Sequence, residues 1–217
     1  MKIKYILFSY LLFSISICSA QYSFTRGFMP TVNMSFDSKK DWSYKVKFET
    51  RNKFDNGIDC SLIDLSFITS KKIGLKNKLS AGYSYLVSNE NDAHRFIQQF
   101  SMIKQYRKYI MAYRLASDQT ITNRNFALRC RMKISTLIPF KGVSVDTGEF
   151  YLKASNEYLN KFYQKYYQLE FRLSPLLGYQ ISKQNKIELG IDHRIKSFLK
   201  ANSQSNYWLK VNWYIKI

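Results

Sequence analysis

The stretch FALRCRMKI at residues 126–134 alternates apolar and polar side chains, and this alternation decides the fold. Side chains on a β-strand point to opposite faces in turn, so residues two positions apart share a face. Leu128 and Met132 would lie on one face, and Arg129 and Arg131 on the other. The stretch therefore predicts a strand that has one apolar face and one cationic face.

Most of the chain follows the same period of two, and turn-forming residues such as the DNG at 55–57 separate the segments. The predicted strands run at about 28–36, 42–52, 60–69, 76–87, 93–103, 107–117, 125–136, 147–156, 165–180, 186–196 and 206–217. Many contain about ten to thirteen residues. Strands of soluble proteins average about five or six residues, whereas a strand that crosses a membrane needs about nine to eleven.

Long alternating segments with turns between them are typical of an outer-membrane barrel. We therefore expect an all-β fold, an antiparallel up-and-down transmembrane β-barrel of about 10–12 strands formed by residues 21–217. Bacterial barrels usually have an even strand number, so either residues 21–27 supply a twelfth strand or one predicted segment lies outside the wall. The alternative fold is an exported, soluble β-sandwich that acts as a binding module.

Residues 1–20 have the features of a secretory signal peptide. Lys2 and Lys4 form a short basic region, residues 5–17 are apolar apart from serines, and residues 18–20 are the small-residue sequence CSA. This order is typical of a cleaved signal, and the apolar segment is short for a membrane-spanning helix. We expect export, with the cell outer membrane as the destination.

The charge balance then indicates the kind of partner. The chain contains 34 Lys and Arg against 15 Asp and Glu, a net charge of +19. In a cytosolic protein this excess would favour nucleic acid as a partner, but an exported protein meets other anions. We expect contact with outer-membrane lipid and anionic glycolipid, no nucleic acid, and the barrel-insertion machinery during biogenesis.

The polar face of the strands carries a cluster of charges that would line the lumen. A charge that faces lipid near the bilayer midplane costs about 2–4 kcal/mol for Arg or Lys, so these residues should point inward. The predicted cluster comprises Lys45, Lys47, Arg51, Arg114, Arg129, Arg131, Lys133, Glu149, Glu170, Arg172, Glu188 and Arg194.

Two interpretations of this cluster stay open. Paired charges could plug the lumen, or rings of cations could make it an anion-preferring pore. We expect Arg129, Arg131 and Lys133 to point into the lumen, with Glu149 and Glu170 as possible partners. The function predicted is that of an outer-membrane barrel with a structural or interaction role, or of a narrow and largely charge-plugged pore.

Catalytic chemistry receives little support from the sequence. His94 and His193 are the only histidines. Asp192 would point to the opposite face from His193, and Ser197 would lie about 13 Å along the strand. The sequence therefore predicts no enzyme and no catalytic residues. The alternative is an outer-membrane hydrolase that modifies lipid or lipid A.

Metal, cofactor and disulfide chemistry are not expected either. No Cys and His residues have the spacing of metal ligands, and no glycine-rich phosphate loop is present. By strict alternation Cys60 falls on the polar face with Asp64, whereas Cys130 falls on the apolar face. We therefore expect both cysteines to be unpaired.

Several short motifs resemble the family called domain of unknown function 2490. They are AHRFIQQ at 93–99, YRLA at 113–116, RCRM at 129–132, LIP at 137–139 and ELG at 188–190. The resemblance covers about residues 27–217. It implies an outer-membrane barrel, and it supplies no established activity, cofactor or functional residues.

Overall fold

The computed structural model describes residues 23–38, 41–54, 57–89, 91–123, 125–164, 166–200 and 202–217. The predicted signal peptide, residues 1–20, lies outside this part of the chain. No helix among the described residues is long and apolar enough to cross a membrane. The strands are β1 (Ser23–Asp37), β2 (Trp42–Phe54), β3 (Ile58–Ile73), β4 (Asn77–Ser88), β5 (Ala93–Gln105), β6 (Ile110–Thr122), β7 (Asn125–Pro139), β8 (Phe150–Tyr163), β9 (Tyr166–Gln180), β10 (Asn185–Lys196) and β11 (Gln204–Lys216).

These eleven strands form one closed barrel, so the predicted all-β barrel of about ten to twelve strands is confirmed. Each strand pairs antiparallel with its neighbours in sequence, and β1 closes the barrel by pairing in parallel with β11. The parallel closure follows from the odd strand number, since the first and last strands then run in the same direction. The β-sandwich alternative is excluded because the strands form a single closed sheet.

The odd number arises because every predicted segment belongs to the wall. Residues 23–27 continue β1 and do not form a separate strand. Several strands extend beyond their predicted ends, and two extend furthest: β6 reaches Thr122 and β8 reaches Tyr163. The polar residues near those predicted ends resemble turn residues, but they lie on strands. In this barrel, polar side chains mark the lumen as well as the turns.

The lumen is the core of the protein. Met29, Tyr151 and Leu159 are almost completely buried inside it, together with the carboxylates of Asp118 and Glu188. Large apolar side chains on the alternate positions stay exposed on the outside, as they do throughout the eleven strands.

Two glycines make room for large aromatic side chains inside the barrel. A Cβ atom at Gly27 would overlap the ring of Trp208, and one at Gly178 would overlap the ring of Tyr151. Both rings lie against the inner wall and reduce the open cross-section of the lumen. The glycines are therefore explained by packing, because no other residue would leave space for these rings.

A bulge corrects the placement of Cys60. The register between β2 and β3 shifts after Arg51, so that Asn52 pairs with Cys60 and Ser61 is the extra residue. One extra residue inverts the alternation beyond it. Cys60 therefore faces outward with Asn52, and the prediction that it shares a face with Asp64 is wrong. Both cysteines of the described chain, Cys60 and Cys130, are free, as expected.

The parallel closure predicts one specific cross-link. Thr31 and Asn212 are Cα partners in the β1–β11 pair. We expect Thr31→Cys combined with Asn212→Cys to form a disulfide under mild oxidation, in a background where Cys60 and Cys130 are serine. Partners in adjacent strands lie within the Cα distance that a disulfide requires. Faster migration on a non-reducing gel after boiling measures the closed loop.

The matched control combines Thr31→Cys with Gln204→Cys, eight positions along β11 from Asn212. At strand rise this separates the two sulfur atoms by about 26 Å, so no cross-link should form. Equal cross-linking of the two pairs, or none at Asn212, would contradict the parallel closure.

Candidate functional site

The lumen gathers the inward-facing polar side chains of all eleven strands around a cavity of about 270 Å³. Eleven of the twelve predicted cluster residues occupy inward positions on strands: Lys45, Lys47, Arg51, Arg114, Arg129, Arg131, Lys133, Glu170, Arg172, Glu188 and Arg194. The cavity is lined mainly by cations and by small hydroxyl or amide side chains. The lumen is therefore the candidate functional site.

Glu149 is the exception, and its placement is a correction. It precedes β8, in the connection between β7 and β8. Its carboxylate accepts a hydrogen bond from the backbone N–H of Asp146 at 3.1 Å. Gly148 adopts a φ of 83°, which belongs to a turn and breaks the strand that the sequence pattern predicts to begin at residue 147. Glu149 is therefore a turn residue and not a lumen partner.

A chain of alternating charges runs across β6, β7, β8 and β9. Asp118, fully buried, accepts hydrogen bonds from Arg129 at 2.6 Å and from Arg131 at 2.8 Å. Arg131 also reaches Glu157 at 3.4 Å. Arg172 continues the chain, since it lies 3.5 Å from Glu157 and 2.7 Å from Glu170. The network links, in order, Arg129, Asp118, Arg131, Glu157, Arg172 and Glu170.

A second group pairs charges between β2 and β3. Lys47 donates to Asp64 at 2.8 Å and lies 3.5 Å from Glu49. Arg51 donates to the same Glu49 carboxylate at 2.8 Å. Each carboxylate in this group is therefore compensated, as a buried charge requires.

A third group is centred on Asp192 of β10. Arg194 donates to its carboxylate, and Lys210 lies 3.3 Å away. The hydroxyl of Ser174 donates to the same side chain at 2.9 Å. Asp192 therefore faces the lumen, where two cations and a hydroxyl compensate it.

Glu188 collects the largest set of donors in the lumen. Its carboxylate accepts from Lys153 at 2.8 and 2.9 Å, from the hydroxyl of Tyr151 at 3.0 Å and from that of Tyr214 at 3.1 Å. The amide of Asn212 donates to it at 3.3 Å. These donors come from β8 and β11, so Glu188 ties together strands on both sides of β10.

Asp118 and Glu157 are central to the lumen and absent from the predicted cluster. Both lie beyond the predicted ends of their strands. Continuing the alternation from Arg114 would have reached Asp118, and continuing it from Lys153 would have reached Glu157. The alternation of side chains therefore indicates both residues, but the predicted strands end before reaching them.

His193 has a hydrogen-bond partner that the sequence pattern does not indicate. Its Nε2 lies 2.8 Å from the hydroxyl oxygen of Ser205, and its ring stacks on Tyr207 at 4.1 Å between centroids. Ser197 instead accepts a hydrogen bond from Gln168 at 3.0 Å. Sequence reasoning missed Ser205 because it lies on the neighbouring strand β11, opposite Ile195.

The His193–Ser205 pair lacks the features of a hydrolytic site. Ser205 is 1% exposed, so its hydroxyl cannot reach a substrate. Asp192 points into the lumen and cannot orient the imidazole, which a catalytic triad requires. His94 lies on the outer face, with Nδ1 2.6 Å from the hydroxyl of Tyr83. In the described part of the chain, no three His, Cys, Asp or Glu residues are grouped so as to hold a metal ion.

Because Arg129 and Arg131 share the carboxylate of Asp118, we expect the protein to lose much of its stability when this charge is removed. Asp118→Asn keeps the shape but removes the anion that the two arginines share, so Arg129 loses its ion pair and Arg131 keeps only its contact with Glu157. We expect the free energy of unfolding to fall by about 3–5 kcal/mol, as is typical when one partner of a buried ion pair is removed. Urea unfolding of the folded protein in detergent measures this change.

Asp37→Asn provides the control, since Asp37 pairs with Lys216 at 2.8 Å and both side chains are 56% exposed. An exposed pair contributes about 0–1 kcal/mol. Equal losses from the two substitutions would show that Asp118 does not hold the charge network together.

Comparison with known proteins gives one match. The sequence model of the family described as "Protein of unknown function (DUF2490)" matches residues 27–206. No curated protein matches the chain. No solved structure matches it either.

Proposed function

The chain belongs to the DUF2490 family of proteins of unknown function, and we propose that it is an integral β-barrel of the bacterial outer membrane with a largely plugged lumen. Its role is structural or interactive, with at most narrow conductance. The observation that carries this proposal is the distribution of charge on the outer wall. Outer-membrane lipid and anionic glycolipid are its partners, and the barrel-insertion machinery assembles it.

The outward positions of the described strands are almost free of charge. The charged side chains among them are Arg26, Lys71 and Lys104, and each lies within four residues of a strand end. The middle of the wall instead exposes aliphatic side chains such as Leu115 and Leu189, which are 56% and 48% exposed. A wall of this kind suits contact with hydrocarbon, because lipid tails solvate apolar groups and exclude charge.

Aromatic side chains form two outward girdles, one near each rim. Near the rim at which β11 ends, Phe36 stacks on Tyr44 at 5.0 Å and Phe150 contacts Tyr179 at 4.7 Å. Near the opposite rim, the corresponding pairs are Phe24 with Tyr207 at 5.3 Å and Phe162 with Tyr167 at 5.4 Å. Amphipathic rings favour the headgroup level, so two girdles support a barrel that spans a bilayer.

The uncharged polar side chains on the outer wall are compatible with lipid because they bond to one another. Gln98 donates to Gln119 at 3.1 Å, and Gln119 donates to Ser117 at 3.4 Å. On β8, Asn160 accepts from the hydroxyl of Tyr167 at 2.6 Å. Pairing of this kind lowers the cost of placing polar groups in an apolar environment.

Strand length and lumen filling support the same proposal. The strands contain 12 to 16 residues, more than the nine to eleven or so that a tilted membrane strand needs. Inside, ion pairs and the rings of Trp208 and Tyr151 occupy much of the space. An eight-stranded barrel is filled by its side chains, and only much larger ones hold open channels, so eleven strands suit a narrow or plugged lumen.

The first test of this proposal is cell fractionation with gel mobility. We expect the protein in the outer-membrane fraction, released by detergent and retained after alkaline washing. An unheated sample should migrate differently from a boiled one, because a closed barrel resists the detergent used in gels. Recovery from the soluble periplasm without detergent would contradict a membrane location.

Two leucine substitutions test whether the outer wall of the barrel contacts lipid or water. Leu189→Arg, in the middle of the outer wall, should lower stability by about 2–4 kcal/mol and reduce assembly. Leu75→Arg, in the β3–β4 turn where Leu75 is fully exposed, should change little. If Leu189→Arg were equally harmless, the outer wall would not face lipid.

The absence of hydrolytic activity is a separate expectation. Purified protein incubated with phospholipid or lipid A should release no fatty acid above a blank, because Ser205 is buried and His193 has no acid to orient it. Fatty-acid release measured by mass spectrometry checks this. Turnover that disappears with His193→Ala, Ser205→Ala or His94→Ala would establish the hydrolase alternative instead.

A further inference from the structure

Four of the cations that line the cavity have no ion pair in the described part of the chain. One of them, Arg95, donates to the hydroxyl of Thr120 at 3.1 Å, whereas the other three have no side-chain hydrogen bond among the described residues. Lys45, Arg114 and Lys133 line the same cavity, and in the described part of the chain none of them has a carboxylate within ion-pair distance. The ammonium of Lys45 lies near the ring of Tyr214, with its Nζ 6.0 Å from the ring centroid. We call these three residues the unpaired cation cluster.

The members of the unpaired cation cluster repel one another. Arg114 and Lys133 are Cα partners across β6 and β7 and share the inward face. Like charges in directly opposed positions destabilise a sheet. Lys45 reaches the same region from β2, where the charges of Arg114, Lys133 and Lys153 all act against its own. The fold thus holds three positive charges together, and no carboxylate of the described residues forms an ion pair with any of them.

The carboxylates of Glu157 and Glu188 already accept hydrogen bonds from residues outside the cluster. Glu157 is the Cα partner of Lys133, but its two oxygens lie 3.4 Å from Arg131 and 3.5 Å from Arg172. Glu188 accepts hydrogen bonds from four other residues, including both contacts from Lys153. Both oxygens of each carboxylate already accept from other donors, and neither carboxylate lies within ion-pair distance of Lys45, Arg114 or Lys133. The cluster therefore keeps an excess of positive charge that an anion from outside the chain would neutralise.

We propose that Lys45, Arg114 and Lys133 form a binding site for a phosphate-class oxyanion in the lumen. Arg114 offers a planar fork of N–H donors that matches two oxygens of such an anion, and the two ammonium groups neutralise its charge. The cavity of about 270 Å³ that they line gives room for a small anion. Free phosphate and a phosphorylated headgroup present the same chemistry to this site.

The site lies in the half of the lumen nearer the rim at which β11 ends. Lys45 follows the start of β2 by three residues, and Arg114 follows the start of β6 by four. Both strands begin at that rim. An anion that enters from this side would pass Tyr151, Lys153 and Glu188, and it would not cross the ion pairs of Asp118 and Asp192 deeper in the barrel.

Thermal unfolding of the full barrel in detergent tests the site. Sodium phosphate should raise the Tm by about 3 °C or more above sodium chloride of the same ionic strength, because ligand binding stabilises the folded state. Glycerol 3-phosphate is the second probe. A larger shift with glycerol 3-phosphate than with inorganic phosphate assigns the site to phosphorylated headgroups, and the reverse assigns it to free phosphate.

Two double variants make the test specific. Lys45→Met with Lys133→Met should remove the phosphate response and raise the Tm in chloride, because it relieves uncompensated repulsion. Lys71→Met with Lys104→Met removes the same charge from the outer wall and should keep the full response. If the first variant fails to fold, Arg114→Lys replaces it, and loss of the fork should weaken phosphate binding at least threefold.

An equal Tm shift in phosphate and chloride would overturn the proposal, as would an unchanged phosphate response in the Lys45→Met, Lys133→Met variant. The test needs only the folded barrel in detergent. If the protein were not in the outer membrane, cell fractionation would show this and thermal unfolding would not. The membrane proposal and the anion-site proposal can therefore fail separately.

Discussion

The closing pair of strands is the interaction on which the rest of the structure depends. Every strand needs hydrogen-bond partners along both edges, and in a bilayer no water replaces them. The parallel ladder from Ser23–Gln204 to Ser35–Lys216 supplies the last set of partners and removes both edges at once. Closure gives the wall an inner face and an outer face. Most charged side chains of the strands lie on the inner face, and the large apolar side chains lie on the outer face.

Closure turns the lumen into a confined space in which cations outnumber carboxylates. Most of the lumen carboxylates are shared between several donors: Asp118 accepts from two arginines, and Glu188 accepts from one lysine and three neutral donors. Some of these carboxylates also join neighbouring strands, as Glu157 of β8 does by contacting Arg131 of β7 and Arg172 of β9. Because these carboxylates bond to other donors, Lys45, Arg114 and Lys133 have no ion-pair partner among the described residues. The pairing that stabilises most of the lumen therefore leaves one part of it able to bind an anion.

The fold could be predicted from the sequence because the period of two is a local property of each strand. The strand ends could not, since the polar residues of a lumen are of the same types as those of a turn, as at Asp118 and Glu157. Where a tight turn fixes the register, pairing is also readable in principle: Thr122 opposite Asn125 places Asp118 opposite Arg129. The bulge beside Cys60 and the contacts of Glu188 with strand β8 depend on curvature of the sheet, which no local pattern encodes.

The odd strand number also places the first and last residues of the barrel at opposite mouths. Since β1 runs parallel to β11, Ser23 lies at one mouth of the barrel and Lys216 at the other. In a barrel with an even strand number the two ends emerge together, and a short peptide can join them. Here a circular permutant would need a linker as long as the barrel wall. Two epitopes attached before β1 and after β11 would be displayed at opposite mouths of the barrel, so under the proposed membrane location one molecule would report on both sides of the membrane.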